Sequence, residues 1–469
     1  MDFFKAFFFI ILLSPISLSE SGSIGVNYGR ISNELPSAFK VVTLLKSQGI
    51  NRVKIFDADP SVLKALSGSN IRVTVDLPNE LLYSAAKRPS FASTWVKRNV
   101  AAYHPSTQIE SIAVGNEVFV DTHNTTQYLI LAMRNIHKAL ISFNLHDDIK
   151  ISSPLALSAL QNSYPSSSGS FRPELINLVI KPMLDFLRET GSRLMVNVYP
   201  FFAYEGNSDV IPLDYALLRE NPGMVDSGNG LRYFNLFDAQ IDAVFAAMSA
   251  LKYDDIEIIV TETGWPSKGD ENEIGATLAN AESYNGNLIR RILTGGGTPL
   301  RPKADLTVYL FALFNENKKF GPTSERNYGL FYPNEKKVYD VPFTIEGLKH
   351  YRDTPTNGDQ NVKPKVPRGG GVSKSLTGSS WCVANGDAGE ERLQGGLDYA
   401  CGEGGADCSL IQPGATCYSP DTLEAHASFA FNSYYQKKGR LAGSCYFGGA
   451  AYVVSQPPKY GRCEFPTGY

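Results

Sequence analysis

Apolar positions along the first three quarters of the chain fall into eight short runs rich in β-branched residues. They are IGVNYG from Ile24, RVKIFDA from Arg52, IRVTVDLP from Ile71, IESIAVGNE from Ile109, IKISSPLA from Ile149, RLMVNVYPFF from Arg193, IEIIVTETGW from Ile256 and LTVYLFALFNE from Leu306. Each has the length of a buried strand. Between them lie stretches such as AFKVVTLLKSQG and YLILAMRNIHKALISF, with apolar residues three and four apart, the spacing of an amphipathic helix. Eight β–α alternations predict a closed (β/α)8 TIM barrel over residues 22–351. An open doubly wound sheet would be favoured by a G-x-G-x-x-G turn after the first strand, and NYGRIS does not supply one.

From Arg352 the pattern dissolves. RDTPTNGDQNVKPKVPRGGGVSKSLTGSS is rich in Pro, Gly, Ser and Lys and reads as a flexible linker over 352–380. Residues 381–469 contain all six cysteines, no C-x-x-C pair and one histidine, His426, which favours a disulfide-stapled small domain over a zinc site. Spacing alone does not choose among the possible pairings. At the other end, Lys5 precedes an apolar run from Ala6 to Leu13 and the small residues Ser17 and Ser19, so residues 1–21 are expected to be a secretory signal peptide. The ending RCEFPTGY lacks the hydrophobic tail of a glycolipid anchor, so a secreted, extracellular or cell-wall protein without membrane anchor is expected. Asn124, in NTT, is the only N-x-S/T sequon and a candidate glycosylation site.

The formal net charge of −3 gives no reason to expect a nucleic-acid partner. No G-x-S-x-G elbow, H-E-x-x-H pair or phosphate-binding glycine loop is present, so neither metal nor cofactor is expected. In a barrel the reactive groups stand at the carboxyl ends of the strands. There the fourth run places Asn116 and Glu117, the seventh Glu262, and the eighth Glu316 and Lys319. One such glutamate would more often cap a helix or form an ion pair. Two across one mouth are what glycosidic-bond hydrolysis requires: one protonates the leaving oxygen, the other attacks the anomeric carbon or activates water. Lys319 is a candidate cation beside them. Tyr28, Tyr199, Phe202, Trp265 and Phe314 lie near the same mouth and are candidate platforms for sugar rings. Gly264 and Pro266 are expected to push Trp265 towards a loop.

At these residues a resemblance appears. IEIIVTETGWPSKG, IGVNYGR, AVGNEV, NVYPFFAY and FALFNENKKFGPTSERNYGLF resemble, in order, the conserved blocks of plant β-1,3-glucanases of glycoside hydrolase family 17, from Ile24 to Tyr351. The resemblance implies a retaining endo-hydrolase of β-1,3-glucan with Glu262 as nucleophile, Glu117 as acid/base and their carboxyl groups about 5–5.5 Å apart. It also implies cleft roles for Asn116, Glu316, Lys319 and Glu325. The tail, with WCVAN, LDYACGEGGADCSLIQPGATCYSP, AHASFAFNSYYQKKG and CYFGGAA, is similar to the family 43 (X8) carbohydrate-binding module. That likeness implies a mainly helical domain, the pairs Cys382–Cys445, Cys401–Cys408 and Cys417–Cys463, and glucan contacts at Tyr434 and Tyr435. The expected partner is thus β-1,3-glucan, met by a monomer. A glucan transglycosylase and a non-catalytic wall-glucan binder are the alternatives.

Overall fold

The computed structural model describes residues 22–120, 125–350 and 381–467, the last stretch with breaks at 403, 439, 441–443, 446, 448–449, 455–457 and 462. The expected signal peptide, Asn124 and the expected linker lie outside the described residues. The chain divides into two compact units that meet in sequence at Thr356 and Asn357.

In the first unit each of the eight predicted runs contains strand. These are β1 (Ser23–Asn27), β2 (Arg52–Lys54), β3 (Arg72–Leu77), β4 (Gln108–Val114), β5 (Lys150–Ser152) with β6 (Leu155–Ala156), β7 (Leu194–Asn197), β8 (Ile258–Thr263) and β9 (Thr307–Leu310). The sheet runs β5-β4-β3-β2-β1-β9-β8-β7-β6 with every pairing parallel. Its two ends, β5 and β6, are halves of the single run IKISSPLA. One half pairs with β4 (Ile151 opposite Ile112) and the other with β7 (Leu155 opposite Val196), so the circle closes through that run. Pro154, which has no N–H to give a ladder, sits at the break.

Helices cover the outside: α1 (Ala38–Ser47), α2 (Pro60–Leu66), α3 (Leu82–Lys87), α4 (Pro89–Val96), α5 (Leu129–Ser142), α6 (Lys181–Thr190), α7 (Pro200–Glu205), α8 (Leu236–Ala250) and α9 (Leu278–Thr294). In α5 the buried residues Leu129, Ala132, Met133, Ile136, Ala139 and Leu140 recur at three and four, one stripe laid on the barrel. α2 begins where Asp59 accepts the Ser61 and Val62 N–H groups, with Pro60 at the first helical position.

The second unit pairs β10 (Trp381–Ala384) antiparallel with β11 (Ala451–Val454) and packs α10 (Glu390–Cys401) and α11 (Leu423–Lys437) around Trp381, Phe429, Phe431 and Phe465. Disulfides join Cys382 to Cys445, Cys401 to Cys408 and Cys417 to Cys463. For a core this small such cross-links supply stability that burial alone does not.

Candidate active site

Glu262 is the penultimate residue of β8. Val260 stands opposite Val196 of β7, but Glu262, two residues on, stands opposite Asn197, so one extra residue bulges between them. A bulge re-aims the side chain that follows it. The Glu262 carboxylate is almost wholly buried: Oε1 lies 2.9 Å from the Lys54 Nζ, and Oε2 accepts from the Tyr199 hydroxyl at 3.0 Å. Lys54, the last residue of β2, has no exposed surface. Its ammonium also lies 3.4 Å from Asn116 Oδ1 and 3.9 Å from the Phe56 ring centroid. Burial and the Glu262 charge raise the Tyr199 phenol well above its ordinary pKa, so it remains a donor to the carboxylate.

Glu117 reaches the mouth by a different backbone device. The chain leaves β4 through Gly115 at φ 68°, and Glu117 itself sits at φ 50°, a left-handed conformation costing an L residue about 1–2 kcal/mol. Two hydrogen bonds hold it there: its N–H donates to the Pro154 carbonyl at 2.9 Å, and its carbonyl accepts from the Val120 N–H at 3.0 Å. The break in the β5–β6 run thus leaves a carbonyl for the residue that needs one. A Cβ on Gly115 would fall 2.6 Å from Val118 Cγ2 and 2.8 Å from Asn79 Oδ1. The Asn79 amide clasps the Asn116 backbone, accepting its N–H at 2.8 Å and donating to its carbonyl at 3.0 Å.

The Glu117 carboxylate accepts from Asn197 Nδ2 at 2.8 Å, and Asn197 Oδ1 in turn accepts from the Thr261 hydroxyl at 2.8 Å. Burial, then the negative charge of Glu262, push the Glu117 carboxyl above its usual range, against the opposing Asn197 donor and Lys54 charge. The two carboxylates are therefore unequal. Glu262 is paired with a buried ammonium and a phenol; Glu117 faces an amide, and its own carboxyl is pushed above the usual range. A proton donor and an anionic nucleophile need that difference.

The structure places the other sequence candidates less uniformly. Asn116 stands between the two, 3.5 Å from Asn197 Nδ2. Glu316 is buried, accepts from the Ile31 N–H at 2.9 Å and pins the loop after β1, where a Cβ on Gly29 would lie 2.4 Å from its carboxylate. Lys319 pairs with Glu325 at 3.2 Å and lies 4.3 Å from the Phe311 centroid. The cation in contact with Glu262 is Lys54, not Lys319. Tyr199 and Phe202 stand at the rim with centroids 5.3 Å apart, and Phe202 is 46% exposed.

Four aromatic candidates are buried, against expectation. Tyr28 and Phe314 meet edge to face at 6.1 Å inside the core. Trp265 has no exposed surface: it packs among Phe201, Tyr204 and Tyr284, and its Nε1 donates to the Gly275 carbonyl at 2.8 Å. Gly264 passes so close to the Phe311 carbonyl that a Cβ would lie 2.2 Å from it, and the turn sends the indole inward, not towards solvent. In the second unit Tyr435 is buried in the core, whereas Tyr434 is partly exposed beside Tyr399 and Phe447, with centroids 5.7 and 5.3 Å away.

Lys54 and Asn197 were not among the candidates. The signal was available, since each is a polar residue at the carboxyl end of an apolar strand, the feature that singled out Glu262.

Paired glutamates at the carboxyl-end mouth of a (β/α)8 barrel define a protein of the glycoside-hydrolase class. The chain belongs to glycosyl hydrolases family 17, whose model matches residues 24–343, and an X8 domain matches residues 380–452. It is 41% identical over 460 residues to glucan endo-1,3-beta-glucosidase 4 of Arabidopsis thaliana, covering 97% of this chain and 86% of that protein. It is 39% identical to glucan endo-1,3-beta-D-glucosidase of Olea europaea, covering 98% and 96%. Among solved structures it resembles CJP38, a beta-1,3-glucanase and allergen of Cryptomeria japonica pollen, at 43% identity and a TM-score of 0.66, covering 69% of this chain and 99% of that one.

Proposed function

We propose that this protein is a secreted endo-hydrolase of β-1,3-glucosidic bonds, acting with retention. The observation that carries the reading is the unequal pair: Glu262 held beside Lys54 and Tyr199, Glu117 desolvated with a raised pKa. In the first step a Glu262 oxygen attacks the anomeric carbon while Glu117 gives its proton to the departing glycosidic oxygen. In the second, water attacks the same carbon, Glu117 takes its proton, and Glu262 is released as carboxylate. Asn116 and the rim residues Tyr199 and Phe202 are read as sugar contacts, with Lys319 and Glu325 further along the cleft. The β-1,3 linkage follows the names of the relatives.

The X8 unit is read as a glucan-binding module that raises the local concentration of enzyme on insoluble substrate. Within it Tyr434 together with Tyr399 offers the ring surface, in place of the buried Tyr435. Three disulfides, and no described helix long and apolar enough to cross a membrane, support an extracellular setting.

The test is reducing-sugar release from a soluble linear β-1,3-glucan, with mixed-linkage and β-1,4-glucans alongside and Glu262→Gln as control. Release from the β-1,3-glucan alone, lost in the variant, is expected. Products longer than the substrate would instead assign the protein as a transglycosylase, and no turnover at all would leave a binder.

A further inference from the structure

One buried acid in the barrel has no part in the scheme above. Asp76, on β3, is 2% exposed. Two residues earlier on the same face, Thr74 hydrogen-bonds Ser111 and Tyr309 inside the barrel, at 2.7 and 3.4 Å. Strand alternation therefore puts Asp76 in the interior too, one layer nearer the mouth. The register sets Lys54 opposite Thr74, so lysine and acid enter the same space from neighbouring strands. Lys54, however, directs its ammonium to Glu262 at 2.9 Å and Asn116 at 3.4 Å. Asp76 Oδ1 is left with no hydrogen-bond partner among the described residues. The charged groups facing it are Lys54 from β2, Glu262 from β8, Asp57 after β2 and Glu80 after β3: three acids and one cation already engaged.

We propose that Asp76 is a positioning residue for the hydrolysis read above: an un-ionised carboxyl group in the space shared with Lys54, which leaves Lys54 to Glu262 and whose ionisation limits activity at the alkaline side. A buried carboxylate with an oxygen left unpartnered is costly, and a carboxyl so placed keeps its proton. Burial foremost, then Glu262, Asp57 and Glu80, push it up to about 7 against the pull of Lys54. Above that pH a new anion competes for the ammonium, Glu262 loses its fixed partner, and turnover falls while substrate contacts at the rim stay as they were.

The test is the pH profile of kcat on β-1,3-glucan for the wild type, Asp76→Asn and Asp76→Ser, the smaller polar group guarding against an amide that does not fit. At about pH 5 the Asn variant should turn over within about twofold of wild type, and at about pH 8 severalfold faster, with KM unchanged. Coincident alkaline limbs, or a folded variant inactive at every pH, would overturn the proposal.

A second readout needs no substrate. The folded pKa lies above the unfolded one, so the native state holds a proton that the unfolded chain gives up. Wild-type stability must therefore fall relative to D76N as pH rises between 3.8 and about 7, and level off above. A pH-independent difference would also overturn the proposal. If no glucan is hydrolysed at all, the functional reading fails, and the unfolding comparison still decides the state of Asp76.

Discussion

Replacing Lys54 with methionine keeps the length of the side chain and removes one charge from a fully buried pair. Two unit charges 2.9 Å apart attract by about 6 kcal/mol at an effective dielectric constant of about 20. The desolvation of both ions offsets much of that gain, so the pair itself contributes little net stability. Removing one partner is another matter, because the Glu262 carboxylate stays buried with only the Tyr199 hydroxyl to face it. The expected loss is about 3–5 kcal/mol. For a domain of this size that lowers the barrel's Tm by roughly 5–10 °C. Turnover should fall about a hundredfold or more, as when one preorganised partner is taken from a dry site. The assay is a cycle of K54M, E262Q and the double variant, followed by thermal and urea unfolding. With both charges gone, the double variant should unfold within about 1 kcal/mol of wild type, so it should be about 2–4 kcal/mol more stable than K54M alone and the single losses should fall well short of adding. Strictly additive losses, or a K54M barrel as stable as wild type, would refute the assignment of Lys54 as the buried partner of Glu262.

Made in the Asp76→Asn background, where Asp76 no longer titrates, Asn197→Ala removes a donor that lowers the Glu117 pKa, so the alkaline limb of kcat/KM should move to higher pH while kcat drops about tenfold; an unmoved limb would separate Asn197 from Glu117. Gly115→Ala puts a Cβ into Val118 and Asn79 at a left-handed φ, and should cost about 1–3 kcal/mol and displace Asn116 and Glu117, read as lower Tm and lower kcat together. Tyr434→Ala should weaken retention on insoluble β-1,3-glucan severalfold and leave turnover of soluble glucan unchanged, whereas equal loss on both would place Tyr434 outside a binding surface.

The barrel was legible because eight short runs rich in β-branched residues alternated with stretches of helical spacing. The glutamates were legible because charge at the end of such a run is costly unless used or paired. Lys54 in RVKIF and Asn197 in LMVNV carry the same signal, but a lysine at a strand end usually reaches solvent, so the pattern by itself does not distinguish a buried partner from a surface charge. Ring orientation was illegible for a related reason. Trp265, Tyr28 and Phe314 lie beyond or late in their strands, where alternation no longer dictates which way a side chain faces, and packing against Phe201, Tyr204 and Tyr284 decided it for the indole.

What periodicity misses altogether is how two glutamates from regular strands become different from each other. Glu262 is aimed by the bulge after Val260, Glu117 by left-handed positions at Gly115 and at Glu117 itself, and the latter is anchored by the carbonyl of Pro154, where the neighbouring strand breaks. Each is a departure from ideal β geometry, and each lies within two residues of a functional side chain or bonds it directly. An ideal barrel would present its strand-end acids alike, in similar surroundings and with similar partners. Here the departures carry one into contact with a buried ammonium and leave the other, partly exposed, against an amide. The proposed division of labour between nucleophile and acid thus rests on backbone irregularities, and substitutions that regularise them, Gly115→Ala first, should impair the chemistry without touching either carboxylate.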